Sequence, residues 1–365
     1  MRTGEIVTIE ASELVAGGDA IARVDGFPVF ASGVFPGDVA RVRLYEVKKG
    51  FAKGELVDLV TPSPLRRAAP CPVANECGGC DWTALRLDAQ LAAKRRILSE
   101  SLRRIGKFDP ATLPEVHLHP SPLNYRLRSR LHADGDAVGF YAMRSNRVVP
   151  LAPECEVVGL ETARYPAAGE QWELEGEIVR DEREISIAAG GFTYRLGTRD
   201  FFQVNRHLLG TLLRLVDGHA SRVANRNTAV DLYAGVGFFT VPIAQHFHRV
   251  TAVEGSRGSV RFARVNVPSN VRVIEASVEH HIPSLKPADF IFLDPPRAGA
   301  RPEVIDTIAE RAKEKIAYLS CDPVTFARDA SRLIASGWRL STLDLLDLFP
   351  NTHHVETLSS FERAQ

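Results

Sequence analysis

Short apolar runs alternate with helical patterns throughout residues 196–365, and this alternation constrains the possible folds more than any other feature of the sequence. It predicts an α/β fold with a doubly wound parallel sheet, because parallel strands need crossover connections between them. The first crossover helix is predicted over residues 238–247. The predicted parallel strands cover residues 228–233, 249–254, 271–275, 289–294 and 316–320. Two last runs, 338–348 and 354–362, predict an antiparallel hairpin that closes the sheet.

The last of these parallel strands leads directly into a cysteine. Residues 316–319 are apolar, Cys321 follows after one serine, and a helical pattern begins after Asp322 and Pro323. Cys321 is therefore predicted at the carboxyl edge of the sheet, where open α/β sheets bind their ligands. A helix N-terminus lowers the pKa of a thiol, which favours a nucleophile at this position. Taken alone, a buried structural cysteine is the more common role, so the interpretation of Cys321 depends on the surrounding motifs.

A glycine turn follows the first strand of the same region. Gly235 and Gly237 allow a close approach to the backbone, and Glu254 ends the second strand. This combination is typical of adenosine cofactor sites, in which the acid accepts the ribose hydroxyls. A nicotinamide cofactor would require a third glycine, and Thr240 occupies that position. The turn therefore favours an adenosine cofactor of another class.

Four of the five cysteines form a separate pattern. Cys71, Cys77 and Cys80 are spaced C-x5-C-x2-C, and Cys155 lies 75 residues further along the chain. Four thiolates can hold either zinc or an iron–sulfur cluster, and the spacing alone does not choose between them. Five cysteines are few and odd in number, so a disulfide framework is not expected.

The N-terminal half predicts two β-rich regions. Residues 4–60 contain short alternating strands separated by glycine turns, which is typical of a small OB-like β-barrel. A Thr-Pro-Ser-Pro linker at 61–64 precedes a middle region that extends to residue 195. Within it, a helix is predicted over residues 88–105 with Lys94 facing solvent. Because the chain has no membrane-length apolar run and no signal-peptide pattern, we expect a cytoplasmic protein.

Basic residues concentrate in one segment of a chain whose formal net charge is +0. Residues 41–147 carry 19 Lys and Arg against 11 Asp and Glu. Such a segment predicts contact with nucleic-acid phosphates. Residues 125–130 alternate as a strand and would align Arg126, Arg128 and Arg130 on one face, suited to a phosphate backbone.

Five short motifs occur in order along the chain. They are Phe201-Phe-Gln-Val-Asn205, Asp231-Leu-Tyr-Ala-Gly-Val-Gly237, Leu293-Asp-Pro-Pro-Arg-Ala-Gly299, the segment Leu319-Ser-Cys-Asp322, and Val355-Glu-Thr-Leu-Ser-Ser-Phe-Glu-Arg363. Together they resemble the motifs of the S-adenosylmethionine-dependent RNA uracil-5-methyltransferases. The resemblance extends from about residue 4 to the end of the chain.

The resemblance implies a Rossmann-like class I methyltransferase domain over residues 196–365. The implied contacts to S-adenosylmethionine are Gln203, Tyr233, Gly235, Gly237, Glu254 and Asp294. Cys321 is the implied nucleophile that adds to C6 of uracil, and Glu356 is the implied acceptor of the C5 proton. Asp294 is also expected to orient the nucleotide or the thiol.

For the N-terminal half, the resemblance implies a TRAM domain over residues 1–62 and a central, β-rich iron–sulfur and RNA-binding domain over residues 63–195. It assigns Cys71, Cys77, Cys80 and Cys155 to a [4Fe–4S] cluster. The chain lacks the C-x3-C-x2-C triplet of radical enzymes, so this cluster is expected to be structural. The RNA is expected to be ribosomal rather than transfer RNA, and the enzyme is expected to be a monomer.

Two other functions compete with this interpretation. A catalytically silent RNA-binding module would use the same barrel, cluster and basic segment. A cytosine-5 methyltransferase also uses a thiolate, but its nucleophile follows proline or threonine, unlike Cys321. Three positions depart from the pattern of many family members: Phe238 replaces Asn, Ser277 lies where an acid or amide is common, and Asp322 replaces Asn. A carboxylate close to Cys321 would disfavour its thiolate.

Overall fold

The computed structural model describes residues 1–158, 167–174 and 177–364. Six N-terminal strands pair into one sheet: β1 (Ile6–Glu10), β2 (Glu13–Leu14), β3 (Ala20–Val24), β4 (Phe27–Ser32), β5 (Val39–Val47) and β6 (Ala52–Thr61). Their order is β1-β5-β6-β4-β3-β2, and β1 also contacts β3, so the sheet curves around its own core. Alternate residues of β5 are buried because successive side chains of a strand face opposite sides. The N-terminal β-domain predicted from the alternating pattern is confirmed.

A long helix, α1 (Leu87–Arg104), and strand β7 (Val116–His119) follow this domain. The predicted solvent exposure of Lys94 on this helix is wrong. Lys94 is fully buried, and its ammonium group donates to Asp347 Oδ1 at 2.6 Å and to the Phe349 carbonyl at 2.9 Å. A buried ammonium needs such partners, and this carboxylate lies 253 residues further along the chain, beyond the reach of local periodicity.

The middle region consists of strands β8 (Arg128–Asp134), β9 (Ala137–Tyr141), β10 (Val148–Pro150), β11 (Gly169–Leu174), β12 (Glu177–Val179), β13 (Glu184–Ala189) and β14 (Phe192–Gly197). The first five form a sheet in the order β10-β9-β8-β11-β12, and the last two form a separate hairpin. All described pairings within both sheets are antiparallel. The β-rich character predicted for this region is confirmed.

The predicted alternation over residues 125–130 is confirmed, because Tyr125, Leu127 and Ser129 are buried and the three arginines lie on the opposite face. Two of the arginines pack against aromatic rings on that face. The guanidinium of Arg126 lies 5.3 Å from the ring centroid of Phe140, and that of Arg128 lies 5.2 Å from the ring centroid of Trp172. Arg130, whose side chain is 74% exposed, is the most exposed of the three.

The C-terminal region alternates strands and helices. The strands are β15 (Thr228–Leu232), β16 (Arg249–Glu254), β17 (Val271–Glu275), β18 (Ala288–Leu293), β19 (Ala312–Ser320), β20 (Trp338–Leu346) and β21 (Glu356–Arg363). The helices are α2 (Leu209–Ser221), α3 (Thr240–Ala244), α4 (Arg257–Asn266), α5 (Val278–His281), α6 (Pro302–Arg311) and α7 (Pro323–Ala335). Within the described part of the chain, none of the helices combines the length and hydropathy needed to cross a bilayer.

These strands form one sheet in the order β17-β16-β15-β18-β19-β21-β20-β7. The first five are parallel, and β21 runs antiparallel between β19 and β20, which confirms the doubly wound sheet with a late hairpin. All six residues of β18 are buried, as in strands covered on both faces. Strand β7 adds an unpredicted parallel edge next to β20. Helix α3 is shorter than predicted, and Phe238 and Phe239, which the prediction included, lie in the turn before it.

One buried histidine of this region yields a prediction about stability. His219, on α2, is 4% exposed, and neither ring nitrogen has a hydrogen-bond partner among the described residues. Burial lowers its pKa to about 4, from 6.5 for an unperturbed histidine. Between these values only the unfolded chain takes up the proton, so the free energy of unfolding should fall as the pH decreases from about 6.5 to about 4.

We predict that His219→Leu removes roughly 2–3 kcal/mol of the pH dependence of the free energy of unfolding. Urea unfolding at about pH 7.5 and about pH 4.5 measures this difference. The exposed His248, replaced in the same way, serves as the control and should leave the pH dependence unchanged. An identical pH dependence in His219→Leu and the wild type would contradict the prediction.

Candidate active site

The register of the large sheet brings three predicted site residues to one edge. Antiparallel pairing of β19 with β21 sets Ser320 opposite Thr357. Cys321 and Glu356 are the next residues along the two chains, and the Glu356 carboxyl group lies close enough to raise the pKa of the Cys321 thiol. Strand β18 is the parallel neighbour of β19 and ends one residue before Asp294. The carboxyl ends of β18 and β19 therefore meet the start of β21, and a thiol and two carboxyl groups converge there.

The residue after the nucleophile candidate caps a helix. Asp322 Oδ1 accepts the backbone N–H groups of Val324 and Thr325 at 2.9 and 2.8 Å, as an N-cap aspartate does. These bonds occupy the carboxylate at the first turn of α7. Asp322 raises the pKa of the Cys321 thiol, but burial, Glu356 and Asp294 all have larger effects. The departure from Asn at this position therefore has a structural role in starting α7.

The expected low pKa of Cys321 is wrong for the protein without ligands. Burial, together with the nearby Glu356 and Asp294, raises the pKa of the Cys321 thiol to about 12. The guanidinium of Arg297 acts in the opposite direction. Removal from water outweighs the favourable position before a helix, so the thiol keeps its proton at neutral pH.

The carboxyl groups of Glu356 and Asp294 lie near this thiol, and a third, that of Asp231, lies near Asp294. Burial raises the pKa of Asp294 to about 8, and it raises the pKa of Glu356 well above its usual range. Asp231, on β15, is 1% exposed, and burial raises its pKa to about 7. One oxygen of Asp231 accepts the Thr240 hydroxyl, and the other has no partner among the described residues. Asp231 was not among the predicted site residues, although an acid within an apolar strand is a pattern that indicates a buried carboxyl group.

The predicted glycine turn has the geometry of a ligand-binding turn. Tyr233, Gly235 and Gly237 have φ angles of 64°, 55° and 88°, all in the left-handed region. A side chain at Gly237 would place its Cβ 3.0 Å from a methyl group of Val267. For Tyr233 this backbone conformation is costly, and such strain concentrates at functional sites.

Glu254 connects this turn to the end of β16. Its carboxylate accepts the backbone N–H of Gly235 at 2.8 Å and that of Ser256 at 2.6 Å. A carboxylate has about four lone-pair directions, so two oxygens engaged in this way can each accept a further hydroxyl group. The geometry agrees with the predicted contact to a ribose.

Two of the departures from the family pattern have structural explanations. The ring of Phe238 belongs to an aromatic cluster, with its centroid 5.0 Å from that of Phe202 and 5.1 Å from that of Tyr194. Ser277 caps α5 by accepting the backbone N–H of His280. An acid does occur nearby, because Glu279 accepts the hydroxyl of Tyr233 at 3.1 Å.

Gln203 and Asp294 contact each other across the edge of the sheet. The Gln203 amide donates to Asp294 Oδ2 at 3.3 Å. Gln203 directly follows Phe202, which is 2% exposed in the aromatic core, so packing fixes the backbone that presents the amide. This contact joins two of the predicted cofactor residues that lie far apart in the sequence.

A buried aspartate that the sequence analysis did not single out holds the loop after β18. Asp329 Oδ2 accepts the Tyr318 hydroxyl at 2.8 Å and the Ala300 N–H at 3.1 Å. Its other oxygen accepts Arg328 Nε at 2.7 Å. The bonds tie the Asp-Pro-Pro-Arg loop to both β19 and α7, which flank Cys321. No local signal distinguishes Asp329 from an exposed helical aspartate.

The other four cysteines line one small pocket, together with Phe140. They are Cys71, Cys77, Cys80 and Cys155. Arg126 lies beside the pocket, and its Nε is buried without a partner among the described residues. Burial raises the pKa of Cys71 and Cys77, and it raises that of Cys80 to about 12. Within the described ranges no three His, Cys, Asp or Glu side chains have the close spacing of ligands around a single metal ion.

Comparison with known proteins places this site in a family. The family profile for tRNA (Uracil-5-)-methyltransferase matches residues 163–287 and 282–363, and the TRAM domain profile matches residues 2–57. An RNA methyltransferase of Corynebacterium efficiens is 32% identical over 405 residues, covering 99% of this chain and 95% of its own. A 23S rRNA (uracil(1939)-C(5))-methyltransferase RlmD of Edwardsiella ictaluri is 31% identical, covering 99% of this chain and 97% of its own.

The overall architecture also matches a solved structure. A tRNA (uracil-54, C5)-methyltransferase of Pyrococcus abyssi, in complex with S-adenosyl-L-homocysteine, superposes with a TM-score of 0.73 over 97% of this chain and 99% of that chain. Because the two sequences are only 23% identical, this structural match shows a shared fold alone. The family profile spans more than half of the chain, and the relatives span nearly all of it. The chain therefore belongs to the RNA (uracil-5-)-methyltransferase family, as an enzyme with an N-terminal TRAM domain and a class I methyltransferase domain.

Proposed function

We propose that this enzyme methylates C5 of a uridine in 23S ribosomal RNA, with S-adenosylmethionine as the donor and a covalent bond between Cys321 and C6 of the base. The observation that carries the proposal is the convergence of Cys321, Glu356 and Asp294 at the ends of β19, β21 and β18, where both carboxyl groups lie close enough to act on the thiol. Ribosomal RNA is supported by the 31% identical relative that is named for 23S rRNA and matches over nearly its full length.

The donor pocket is assigned to the glycine turn and its neighbours. When bound, S-adenosylmethionine supplies the methyl group from its sulfonium centre. Glu254 accepts the ribose hydroxyls, and Gly235 and Gly237 keep the backbone open beside the ligand. Gln203, Tyr233 and Asp294 complete the set of contacts predicted from the family resemblance. The solved relative in complex with S-adenosyl-L-homocysteine supports a pocket of this class.

The chemistry assigned to Cys321 and Glu356 overcomes the weak nucleophilicity of uracil C5. The Cys321 thiolate forms a bond to C6, and the electrons of the C5–C6 double bond move towards the C4 carbonyl as an enolate. The donor, when bound, would supply the methyl group to C5, and the electron pair of its methyl–sulfur bond would remain on sulfur as a neutral thioether. The Glu356 carboxylate accepts the C5 proton, and the electrons of that bond restore the double bond and expel the thiolate. Because burial raises the pKa of Glu356 well above its usual range, this carboxyl group accepts the C5 proton only after it has lost its own, and the nearby Arg297 and Lys94 favour that ionised form.

The ionisation of the carboxyl and thiol groups in this site depends on the charge of the bound ligand. Because Asp231 and Asp294 have pKa values of about 7 and about 8, both retain much of their proton at neutral pH. A sulfonium cation in the pocket favours the ionised carboxylates and the Cys321 thiolate. S-adenosylhomocysteine has no sulfonium charge and lacks this effect.

We predict that binding of S-adenosylmethionine at about pH 7 releases on the order of half a proton more than binding of S-adenosylhomocysteine. Isothermal titration calorimetry in buffers of different ionisation enthalpy measures the number of protons released. Asp294→Asn should remove much of the difference, since it removes a group that titrates near this pH. Equal proton release with both ligands in the wild type would rule out the coupling.

The two catalytic assignments are separated by a pair of substitutions. Cys321→Ala should abolish both methylation and covalent attachment to RNA, because no bond to C6 can form. Glu356→Gln should allow attachment and methyl transfer but leave the proton on C5. Turnover should then fall by roughly 10²–10⁴-fold, while a denaturant-resistant protein–RNA complex carrying the labelled methyl group accumulates. Gel electrophoresis with label from the cofactor methyl group reports both quantities.

Glu362→Gln is the matched control, because Glu362 lies at the other end of the same strand and its carboxylate pairs with Lys315, away from Cys321. It should turn over normally and trap no complex. Methylation by Cys321→Ala would show that the nucleophile is misassigned. Normal turnover by Glu356→Gln would show that another group accepts the proton.

Transfer RNA is the alternative substrate, favoured by the name of the superposed Pyrococcus abyssi enzyme. Incubation with labelled cofactor and either purified 23S rRNA or bulk tRNA decides between the two. Label in the ribosomal RNA alone supports the proposal. Binding of RNA without any transfer would instead favour a catalytically silent RNA-binding module.

For the second pocket we propose a [4Fe–4S] cluster held by Cys71, Cys77, Cys80 and Cys155. When bound, such a cluster joins the two distant cysteine segments through one rigid group. Each thiolate of a four-iron cluster binds a different iron, so its ligands stand farther apart than those around a single ion. The support for this proposal is that all four thiols line one pocket, with the unpaired Nε of the Arg126 guanidinium buried beside them.

We predict that protein purified without oxygen is brown and contains about four irons per chain. Serine at any one of the four pocket cysteines should remove the colour and most of the iron, measured by visible absorption and elemental analysis. Cys321→Ser is the control and should keep the iron, because Cys321 lies at the other site. A colourless, zinc-loaded wild type would overturn the assignment.

A further inference from the structure

The loop between β20 and β21, residues 347–355, connects the cysteine pocket with the active site. Asn351 lines the pocket formed by the four cysteines. Phe349 packs against the same hydrophobic cluster as Cys77, Cys80 and Cys155. The loop ends at Glu356, the first residue of β21. The position of the proposed proton acceptor therefore depends on a loop whose other side borders the pocket.

The side chain of Asn351 is fully bonded within this buried junction. Asn351 is 0% exposed and has a φ angle of 66°, which is uncommon for a residue with a side chain. Its Oδ1 accepts Arg67 Nη2 and Gln90 Nε2, each at 3.0 Å. Its Nδ2 donates to Glu156 Oε2 at 2.9 Å. The amide thus satisfies two donors and one carboxylate that would otherwise be buried at high cost.

The backbone of Asn351 also forms hydrogen bonds, with Asp81, Trp82 and Gln90. Its carbonyl accepts the N–H groups of Asp81 and Trp82 at 3.2 and 3.0 Å, and its N–H donates to Gln90 Oε1 at 2.8 Å. The Asp81 carboxylate also accepts the backbone N–H of His353 at 3.0 Å and contacts its ring nitrogen at 2.6 Å. Asn351 and His353 of the loop are therefore both hydrogen-bonded to residues 81–82.

These partners follow the pocket cysteines directly in the sequence. Asp81 is next to Cys80, and Glu156 is next to Cys155. Asn351 consequently joins the two cysteine segments to each other as well as to the loop. Any displacement of the thiols moves the groups that hold Asn351.

The far side of the loop is fixed at the active site. The Lys94 ammonium binds Asp347 and the Phe349 carbonyl, and it lies close enough to Glu356 to lower the pKa of that carboxyl group. The ring of His354 contacts Arg297, which also faces Cys321. These contacts at both ends therefore restrict the movement of the loop that joins the pocket to Glu356.

We propose that Asn351 is a positioning residue that couples the four-cysteine pocket to Glu356, so that a filled pocket holds the proton acceptor in place. This inference rests on the proposed role of Glu356. It concerns the step in which the C5 proton leaves, because the formation of the bond to C6 requires Cys321 on a different element. Loss of the pocket ligand then weakens elimination more than attachment.

The first test uses hydrogen exchange, which does not depend on activity. Backbone amides of residues 347–358 are compared in iron-loaded wild type and in Cys155→Ser. The coupling predicts exchange about tenfold faster or more in the variant, since links to a charged partner are lost. Strand β5 of the N-terminal domain is the internal control and should be unchanged. Unchanged exchange in 347–358 would overturn the proposal.

The second test breaks the link at Asn351 itself. Glycine adopts a φ angle of 66° without strain, so Asn351→Gly keeps the backbone bonds and removes only the side-chain amide. We expect faster exchange in 347–358 and a methylated covalent RNA complex at least about fivefold above the wild-type level, as elimination slows. Loss of iron together with the faster exchange supports the same coupling, because coupling between sites is reciprocal.

Asn270→Gly is the matched control, since it also removes an amide with two hydrogen bonds, far from the loop. It should trap no complex and leave exchange in 347–358 unchanged. An Asn351→Gly protein with wild-type exchange and no trapped complex would overturn the coupling while the proposed function stands. A Glu356→Gln protein that traps no complex would instead overturn the proposed function.

Discussion

The pairing of β21 between β19 and β20 is the constraint on which the active site depends. A strand slipped by one residue turns every side chain to the opposite face, so the register decides whether Cys321 meets Glu356 at all. The first six residues of β21 are all buried, and burial on both faces makes a slip costly. The same strand thus completes the hydrophobic core and presents the carboxyl group, which is why the C-terminal hairpin is inseparable from the chemistry.

Burial gives the site its second property, the retention of protons. Cys321, Asp294 and Glu356 all have raised pKa values because the low-dielectric interior disfavours charge. Arg297 and Lys94 oppose this effect for Glu356, so the site balances desolvation against two cations. Such a site is poorly ionised alone and responds strongly to a cationic ligand. The same burial that accompanies folding therefore makes the ionisation of these groups depend on the binding of the cationic donor.

The strands of the methyltransferase domain were predictable, because each is an apolar run bounded by turn residues. The limits of β16 and β17 agree with the prediction, and those of β15, β18 and β21 differ by two residues or fewer. Predictions failed where a partner lies far away in sequence. Lys94 has the spacing of an exposed helical lysine, but its ammonium group donates to the Asp347 carboxylate, which lies 253 residues further along the chain. Arg126 and Arg128 lie on the predicted face of their strand, but their contacts with aromatic rings were not predicted.

By itself, the sequence determined the doubly wound sheet, the glycine turn with its acid, the four-cysteine pattern and, through its motifs, the family. Each strand, turn and motif is encoded in a short segment, where periodicity and spacing reflect local geometry. Only the tertiary structure decided that Cys321 lies beside Glu356, that its thiol has a raised pKa, and that Asn351 of the active-site loop lines the cysteine pocket. Register, desolvation and long-range hydrogen bonds depend on segments that are not adjacent in the sequence, so a local pattern does not reveal them.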